Sequence, residues 1–334
     1  MTDIAVVGAY GHTGRFVVAE LVRRGFAPIL IGRDVDKLST MGARWPSLRR
    51  RVVTMVESAS LDAALDGAKA VINCAGPFLD TATPVIEAAL RARIHYLDLS
   101  AEQRATQVAF NQHAEAASDA DVIVIPSMAF FGGLADLLAT AAAGDWIAID
   151  TIEVAVALDS WHPTVGTRLT GQRNHYPRLI VEKSELAVLT DSTVPAHWYF
   201  EPPFGSQSMV ALPLSEVITI SRHLQTKSLH SYMNLAALQD IRNPSTPPPV
   251  ASDVSGRSSQ RFAMSVHVRR GGELRRADAS GQDIYAVSAP LVVEALERIL
   301  AGAIRGRGVL PAGAAFDAHA FLAALAPHVT VQVC

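Results

Sequence analysis

Through the first half of the chain, short continuous apolar runs alternate with stretches whose apolar residues recur every three or four positions. Ile4 to Val7, Ile29 to Ile31, Val52 to Val56, Ala70 to Asn73, Ile94 to Ser100 and Asp121 to Ile125 are short and rich in β-branched residues, as strands buried on both faces are. Between them lie amphipathic helices: Phe16 to about Gly25, Val35 to Met41, Ser60 to Leu65, Thr83 to about Arg93, and Glu102 to about Ser118. This alternation predicts an α/β protein with an N-terminal, doubly wound Rossmann sheet.

Punctuation supports the boundaries. Asp34 reads as a helix N-cap, Ser58 or Ser60 as another, and Pro84 as a first-turn proline. Pro126 stops the sixth strand, Ser127 to Gly133 reads as a loop, and Leu134 to Ala143 as a helix. From Ile147 the texture changes. Ile152 to Leu158 is a long strand followed by a turn at Trp161-His162-Pro163; Val210 to Leu214 and Leu229 to Met233 read as strands, and Asn243 to Pro249 as a proline-rich loop. Phe262 to Arg269 and Leu274 to Ser280 form a hairpin around Gly271-Gly272, then come helices at Val287 to Ile304 and Asp317 to Leu325 and a strand at Val329 to Val333. The expected organisation is a first domain over residues 1–130 and a second, mixed-sheet α/β domain over 131–334, with residues from about 281 onward packing back on the first.

The chemistry concentrates where the first strand ends. In Gly8-Ala9-Tyr10-Gly11-His12-Thr13-Gly14, Gly8 makes the turn, Gly11 lets backbone approach a pyrophosphate, and Gly14 lets the next helix pack against the strand. That helix then presents unpaired N–H groups to the phosphates. At the end of the second strand an NAD site usually carries an acid for the ribose 2′-hydroxyl, whereas this chain reads Gly32-Arg33-Asp34. Gly32 would leave room and Arg33 would supply a planar charged fork for a 2′-phosphate, which favours NADP over NAD. The fourth strand runs into Cys74-Ala75-Gly76-Pro77-Phe78, a loop at a carboxyl strand end where open α/β sheets bind ligands.

Composition narrows the partners. Across 334 residues, 49% are hydrophobic, 18% charged, and the net charge is -3, so nothing attracts nucleic acid or an anionic membrane. No run reaches membrane-spanning length, the first strand begins almost at the N-terminus, and two cysteines make neither a disulfide framework nor a metal spacing. A cytoplasmic protein without a metal, acting on a small molecule, is expected.

Hydride transfer asks the protein mainly for positioning and a proton. Period-two alternation puts Tyr96, Asp98 and Ser100 on one side of the fifth strand near the cofactor, with Glu102 just beyond. His162, after the first strand of the second domain, is the next candidate; His175, Tyr176, Lys183, His197 and Tyr199 are also titratable. Asp98 could equally cap a neighbouring loop, and Cys74 reads as a small packing residue rather than a nucleophile.

The phosphate turn, Gly32-Arg33-Asp34, Asn73 to Phe78 and His95 to Ser100 resemble the saccharopine dehydrogenase-like reductases, including trans-acting enoyl reductases; Gly308 to Ala312 and Ala315-Phe316-Asp317 are similar to the family's closing segment. The resemblance implies an NAD(P)-binding Rossmann domain, a second α/β domain facing the nicotinamide, and a homodimer. The chain departs from many relatives at Ala101, where they carry Gly, and at Phe131, where they carry Asp, so its pocket should be more apolar. Reduction of a C=N, C=C or C=O bond is one reading. A protein that binds NADP without catalysis is the other, since the fingerprint reports binding only.

Overall fold

The computed structural model describes residues 1–190 and 196–334. Its first part runs β1 (Asp3–Val7), α1 (His12–Arg23), β2 (Ala27–Gly32), α2 (Val35–Arg44), β3 (Arg50–Val52), α3 (Ser58–Leu65), β4 (Ala70–Asn73), α4 (Phe78–Ala92), β5 (His95–Asp98), α5 (Gln103–Asp119) and β6 (Ile123–Ile125). A π-helical turn, Phe130–Leu134, leads directly into α6 (Ala135–Ala143). Then follow β7 (Ala148–Leu158), α7 (Val165–Arg173), β8 (Leu179–Glu182), β9 (Glu185–Val188), β10 (Ala196–Phe200), β11 (Gly205–Ala211), α8 (Ser215–Ser221), β12 (Gln225–Asn234) and α9 (Leu235–Arg242). The chain closes with β13 (Arg261–Arg270), β14 (Glu273–Gln282), α10 (Ser288–Leu300), β15 (Gly308–Val309), α11 (Ala312–Ala315), α12 (Ala318–Ala324) and β16 (Val329–Val333).

Seven strands form one sheet in the order β15-β6-β5-β4-β1-β2-β3, every pairing parallel. Strand β1 shows why: Ile4 and Val6 pack into one core layer, Ala5 and Val7 into the other, so both faces are covered. Strand order reverses between β1 and β4, and their carboxyl ends open the crevice where such sheets take ligands. The second sheet is mixed, in the order β10-β11-β12-β7-β13-β14-β16 with β8 and β9 attached to β12. Among the described residues, only β12 and β7 pair in parallel within it.

The C-terminal elements return to the first sheet. Strand β15 extends it beside β6, and α10 packs on α1 through a charge cluster. Arg24 bonds Glu20 of its own helix at 2.7 Å and Glu294 of α10 at 2.7 Å, and also contacts Glu297; Arg23 adds two bonds to Glu20. Burial raises the Glu20 pKa, but the hydrogen bonds and charges of Arg23 and Arg24 outweigh it and hold the group at about 2, against an ordinary 4.5. A carboxylate depressed in the fold stabilises above its unfolded pKa and loses that contribution as pH falls through the folded one. Glu20 should therefore supply about 3 kcal/mol at neutral pH, lost between pH 4.5 and about 2. Urea melts of the parent and Glu20→Gln should differ at pH 6 and converge toward pH 2; a gap that stays constant with pH would contradict this.

The structure corrects several expectations. The third strand is Arg50–Val52, because Leu30 to Gly32 pair with these residues; Val53 still bonds the Gly32 carbonyl, and Thr54 then turns toward Ser60. Helix α4 begins at Phe78, not Thr83, and Pro84 lies inside it. The stretch Ser127 to Gly133 is a loop only in its first residues. Its glycines serve packing in the π-helical turn, where a Cβ on Gly132 would lie 2.4 Å from the Ser127 carbonyl oxygen. Strand β5 ends at Asp98, leaving Ser100 in the following loop, and the strand expected at Val210 to Leu214 is Gly205–Ala211. No helix among the described residues is long and apolar enough to cross a membrane.

Candidate dinucleotide site

At the end of β1, Gly8 has φ +77°, and a Cβ there would sit 2.9 Å from the Ala75 nitrogen, so both conformation and space demand glycine. The Gly8 N–H bonds the Ile31 carbonyl at 2.8 Å, and Gly11 N–H bonds the Gly8 carbonyl at 2.9 Å, closing the turn. A Cβ on Gly14 would approach the Gly8 oxygen to 2.3 Å; α1 can start against the turn only because none is there. At Gly11 the sole contact would be the Gly8 oxygen at 3.0 Å. Helix α1 has no side-chain cap, so its first N–H groups, from His12, Thr13 and Gly14, can meet an anion.

The space at Gly32 has a different use from the one expected. A Cβ there would lie 2.2 Å from the Tyr10 ring, so the room is occupied by Tyr10, whose hydroxyl accepts from Asp34 N–H at 3.3 Å. Asp34 caps α2 through Lys37 N–H at 3.0 Å, as its position predicts. Arg33 is exposed, and the cation over the Tyr10 ring is Lys37, 5.9 Å from its centroid.

Beyond β4 and β5 the candidate acid-base residues form a closed network. Asp98 is buried; one oxygen accepts from the Ser100 and Ser127 N–H groups, each at 2.8 Å, and the other from the Tyr96 hydroxyl at 2.9 Å. Burial pushes the Asp98 carboxyl up, against these bonds, and raises Tyr96 well above its usual range, with the Asp98 charge adding to the effect. Tyr96 also receives Asn73 Nδ2 at 3.3 Å. Tyr96 and Asp98 are both buried, and Asp98 ties the loops after β5 and β6 together. Ser100 is equally buried, its hydroxyl accepting from Glu102 N–H at 3.0 Å. Cys74 follows β4 with its thiol pushed upward by burial and then by Asp98, as an unreactive packing residue would have it.

Glu102 explains the early start of α4. Its carboxylate accepts from Phe78 N–H at 2.7 Å and Leu79 N–H at 3.0 Å, capping that helix from another strand's loop, and from the Thr170 hydroxyl of α7 at 3.3 Å. The segment Ala75-Gly76-Pro77 is thereby held at the mouth of the crevice, with Gly76 exposed and facing Thr170.

On the other side of the turn His12 meets residues that sequence reasoning missed, Tyr285 and Asp283 foremost. The His12 ring meets Phe16 and Tyr285 edge-on, both at 5.4 Å between centroids, and its buried Nε2 has no partner among the described residues. Burial lowers the His12 pKa, Asp283 opposing and Arg15 assisting, so a neutral ring is favoured. The Tyr285 hydroxyl receives Trp161 Nε1 at 3.1 Å and pairs with the Thr167 hydroxyl at 3.0 Å. Asp283, fully buried with φ +63°, bonds Tyr285 and Ala286 N–H and Ser258, which aims Tyr285 at His12. Phe131 packs on Phe130 at 5.0 Å and Trp161 at 5.9 Å, and half-buried His162 follows Trp161. The usable signal for Tyr285 is Asp283, directly after β14 and five residues before α10, a common place for a turn. His175, Tyr176 and Tyr199 are exposed and lie away from this cluster's contacts.

A parallel sheet in this order, with a glycine turn between β1 and an uncapped helix, defines a Rossmann-type dinucleotide-binding domain. Residues 4–125 match the family model of the saccharopine dehydrogenase NADP binding domain. Saccharopine dehydrogenase-like oxidoreductases of Bos taurus and Homo sapiens are each 30% identical over 152 residues, which is 40% of this chain and 35% of theirs. The match thus spans about a third of those relatives' length. Over the whole chain the fold is similar to apo saccharopine dehydrogenase (L-Glu forming) from Saccharomyces cerevisiae, with a TM-score of 0.68, full coverage of both chains and 9% identity.

Proposed function

We propose that the chain is an NADP-dependent reductase acting on a C=N, C=C or C=O bond of a small organic substrate. The observation that carries this reading is the pairing of a phosphate turn kept clear of side chains at Gly11 with an exposed arginine, Arg33, at the carboxyl end of β2. NADPH, when bound, supplies the hydride. The chain's own residues bind and orient: Gly8, Gly11, His12, Thr13 and Gly14 hold the pyrophosphate, Tyr10 and Arg33 the phosphorylated ribose, and Cys74, Ala75, Gly76, Pro77 and Phe78 border the nicotinamide. Asp98, Tyr96 and His162 are the proposed acid–base residues and Ser100 a cofactor contact; the burial of Tyr96 and Asp98 beside half-buried His162 favours His162 as the proton donor. The same burial favours a second reading, a protein that binds NADP without turnover. A cytoplasmic homodimer completes the proposal, checked by light scattering of the purified chain.

Fluorescence titration should find NADPH bound more tightly than NADH. Arg33→Ala should remove about 1.5–3 kcal/mol of that gap, the range for a charged hydrogen bond. Equal affinities in the parent would sink the NADP assignment. Oxidation of NADPH with a panel of imines, enoyl compounds and ketones separates the two readings: binding without turnover on any of them selects the non-catalytic one.

A further inference from the structure

We propose that a cleft beside α5, outside the dinucleotide crevice, binds a small organic carboxylate. The cleft has a volume of about 190 Å³ and none of its lining residues belongs to the phosphate turn or the Ala75 to Phe78 segment. Arg104 on α5 and Arg178 just before β8 are among its lining residues, with the polar Gln107 and Asn174 and the apolar Leu179 and Val188. Two arginines from separate elements therefore line one small, largely apolar space.

Arg178 is the anchor. Its Nη1 donates to the Pro213 carbonyl at 2.9 Å, which occupies one of five N–H donors on a guanidinium. Burial lowers its pKa, the charge of Glu216 acting the other way and that of Arg242 adding to the effect, so the group has lost much of its hydration. Glu216 acts through space and is not in ion-pair contact, and no carboxylate among the described residues is. A poorly hydrated guanidinium with donors to spare gains most from a carboxylate, whose two oxygens match its fork. Arg104 lies over the Tyr176 ring at 5.6 Å, which holds the second positive charge at the mouth.

The cleft is also preformed. Gln103 donates to the Leu179 carbonyl at 2.8 Å and accepts from its N–H at 2.7 Å, tying the start of α5 to the wall opposite. The volume suits a small organic ligand such as a carboxylate with a short hydrocarbon tail. Apolar walls disfavour a fully hydrated anion such as phosphate.

Calorimetric titration of the full chain with sodium hexanoate tests this, with 1-hexanol and inorganic phosphate as comparison ligands. Saturable hexanoate binding is expected, stronger than that of either comparison, reduced about tenfold or more by Arg178→Gln. The exposed Arg104→Glu should weaken it as well, and serves alone if the Arg178 variant does not fold. Saturating NADPH, whose own binding is titrated separately, should leave hexanoate affinity unchanged. The proposal is overturned if the parent shows no saturable hexanoate binding, if folded arginine variants bind as the parent does, if phosphate or hexanol binds as well as hexanoate, or if NADPH displaces it.

Discussion

Asp98→Ala should destabilise the protein by about 5 kcal/mol, whereas Asp98→Asn should lose only about 1–2 kcal/mol. The alanine strands three buried donors at once, the N–H groups of Ser100 and Ser127 and the hydroxyl of Tyr96, in a site with no exposure to water. Each stranded group carries a desolvation penalty of about 1–3 kcal/mol, and the loops after β5 and β6 lose their common anchor. Asparagine keeps the oxygen that both N–H groups share and loses only the acceptor for Tyr96. Urea unfolding at pH 7 measures both. An alanine variant as stable as the parent would mean that Asp98 is not a clamp, and the catalytic role first read from the sequence would return.

The fate of Asp98 marks where the sequence was legible and where it was not. Strands buried on both faces must be continuous apolar runs, so β1, β2, β4 and β6 stood out, and the glycines around β1 could be assigned tasks before any geometry was known. Gly8 and Gly14 perform those tasks. Gly32 carried the same kind of signal but its space belongs to Tyr10, a contact across more than twenty residues that no local pattern encodes. Helix α7 went unseen because it has no buried residue and therefore no apolar stripe; it is held by Thr167 on Tyr285, Thr170 on Glu102 and Arg173 on Asp80. Helix α4 was started late because its cap, Glu102, comes from beyond the next strand. Alternation in β5 correctly grouped Tyr96 with Asp98, yet periodicity cannot tell a side chain facing a crevice from one sealed beneath it.

The phosphate turn offers a sharper separation, because two glycines three residues apart should fail in opposite ways. A Cβ at Gly14 would stand 2.3 Å from the Gly8 oxygen and 2.9 Å from that of Ala9, both backbone atoms that cannot swing aside, so Gly14→Ala should destabilise the fold itself by about 3 kcal/mol. At Gly11 the only obstacle is one oxygen at 3.0 Å, and φ is -62°, a value any residue adopts. Gly11→Val should therefore fold with a melting temperature near the parent's. Its branched side chain would instead intrude on the space before the α1 N-terminus, where the proposed pyrophosphate sits. Losing two charge-assisted hydrogen bonds there amounts to about 4 kcal/mol, on the order of a thousandfold in NADPH affinity. Thermal melts and NADPH titrations of both variants give the answer. If Gly11→Val melts like the parent and still binds NADPH with undiminished affinity, the turn does not cradle the phosphates, and the reductase reading loses its foundation.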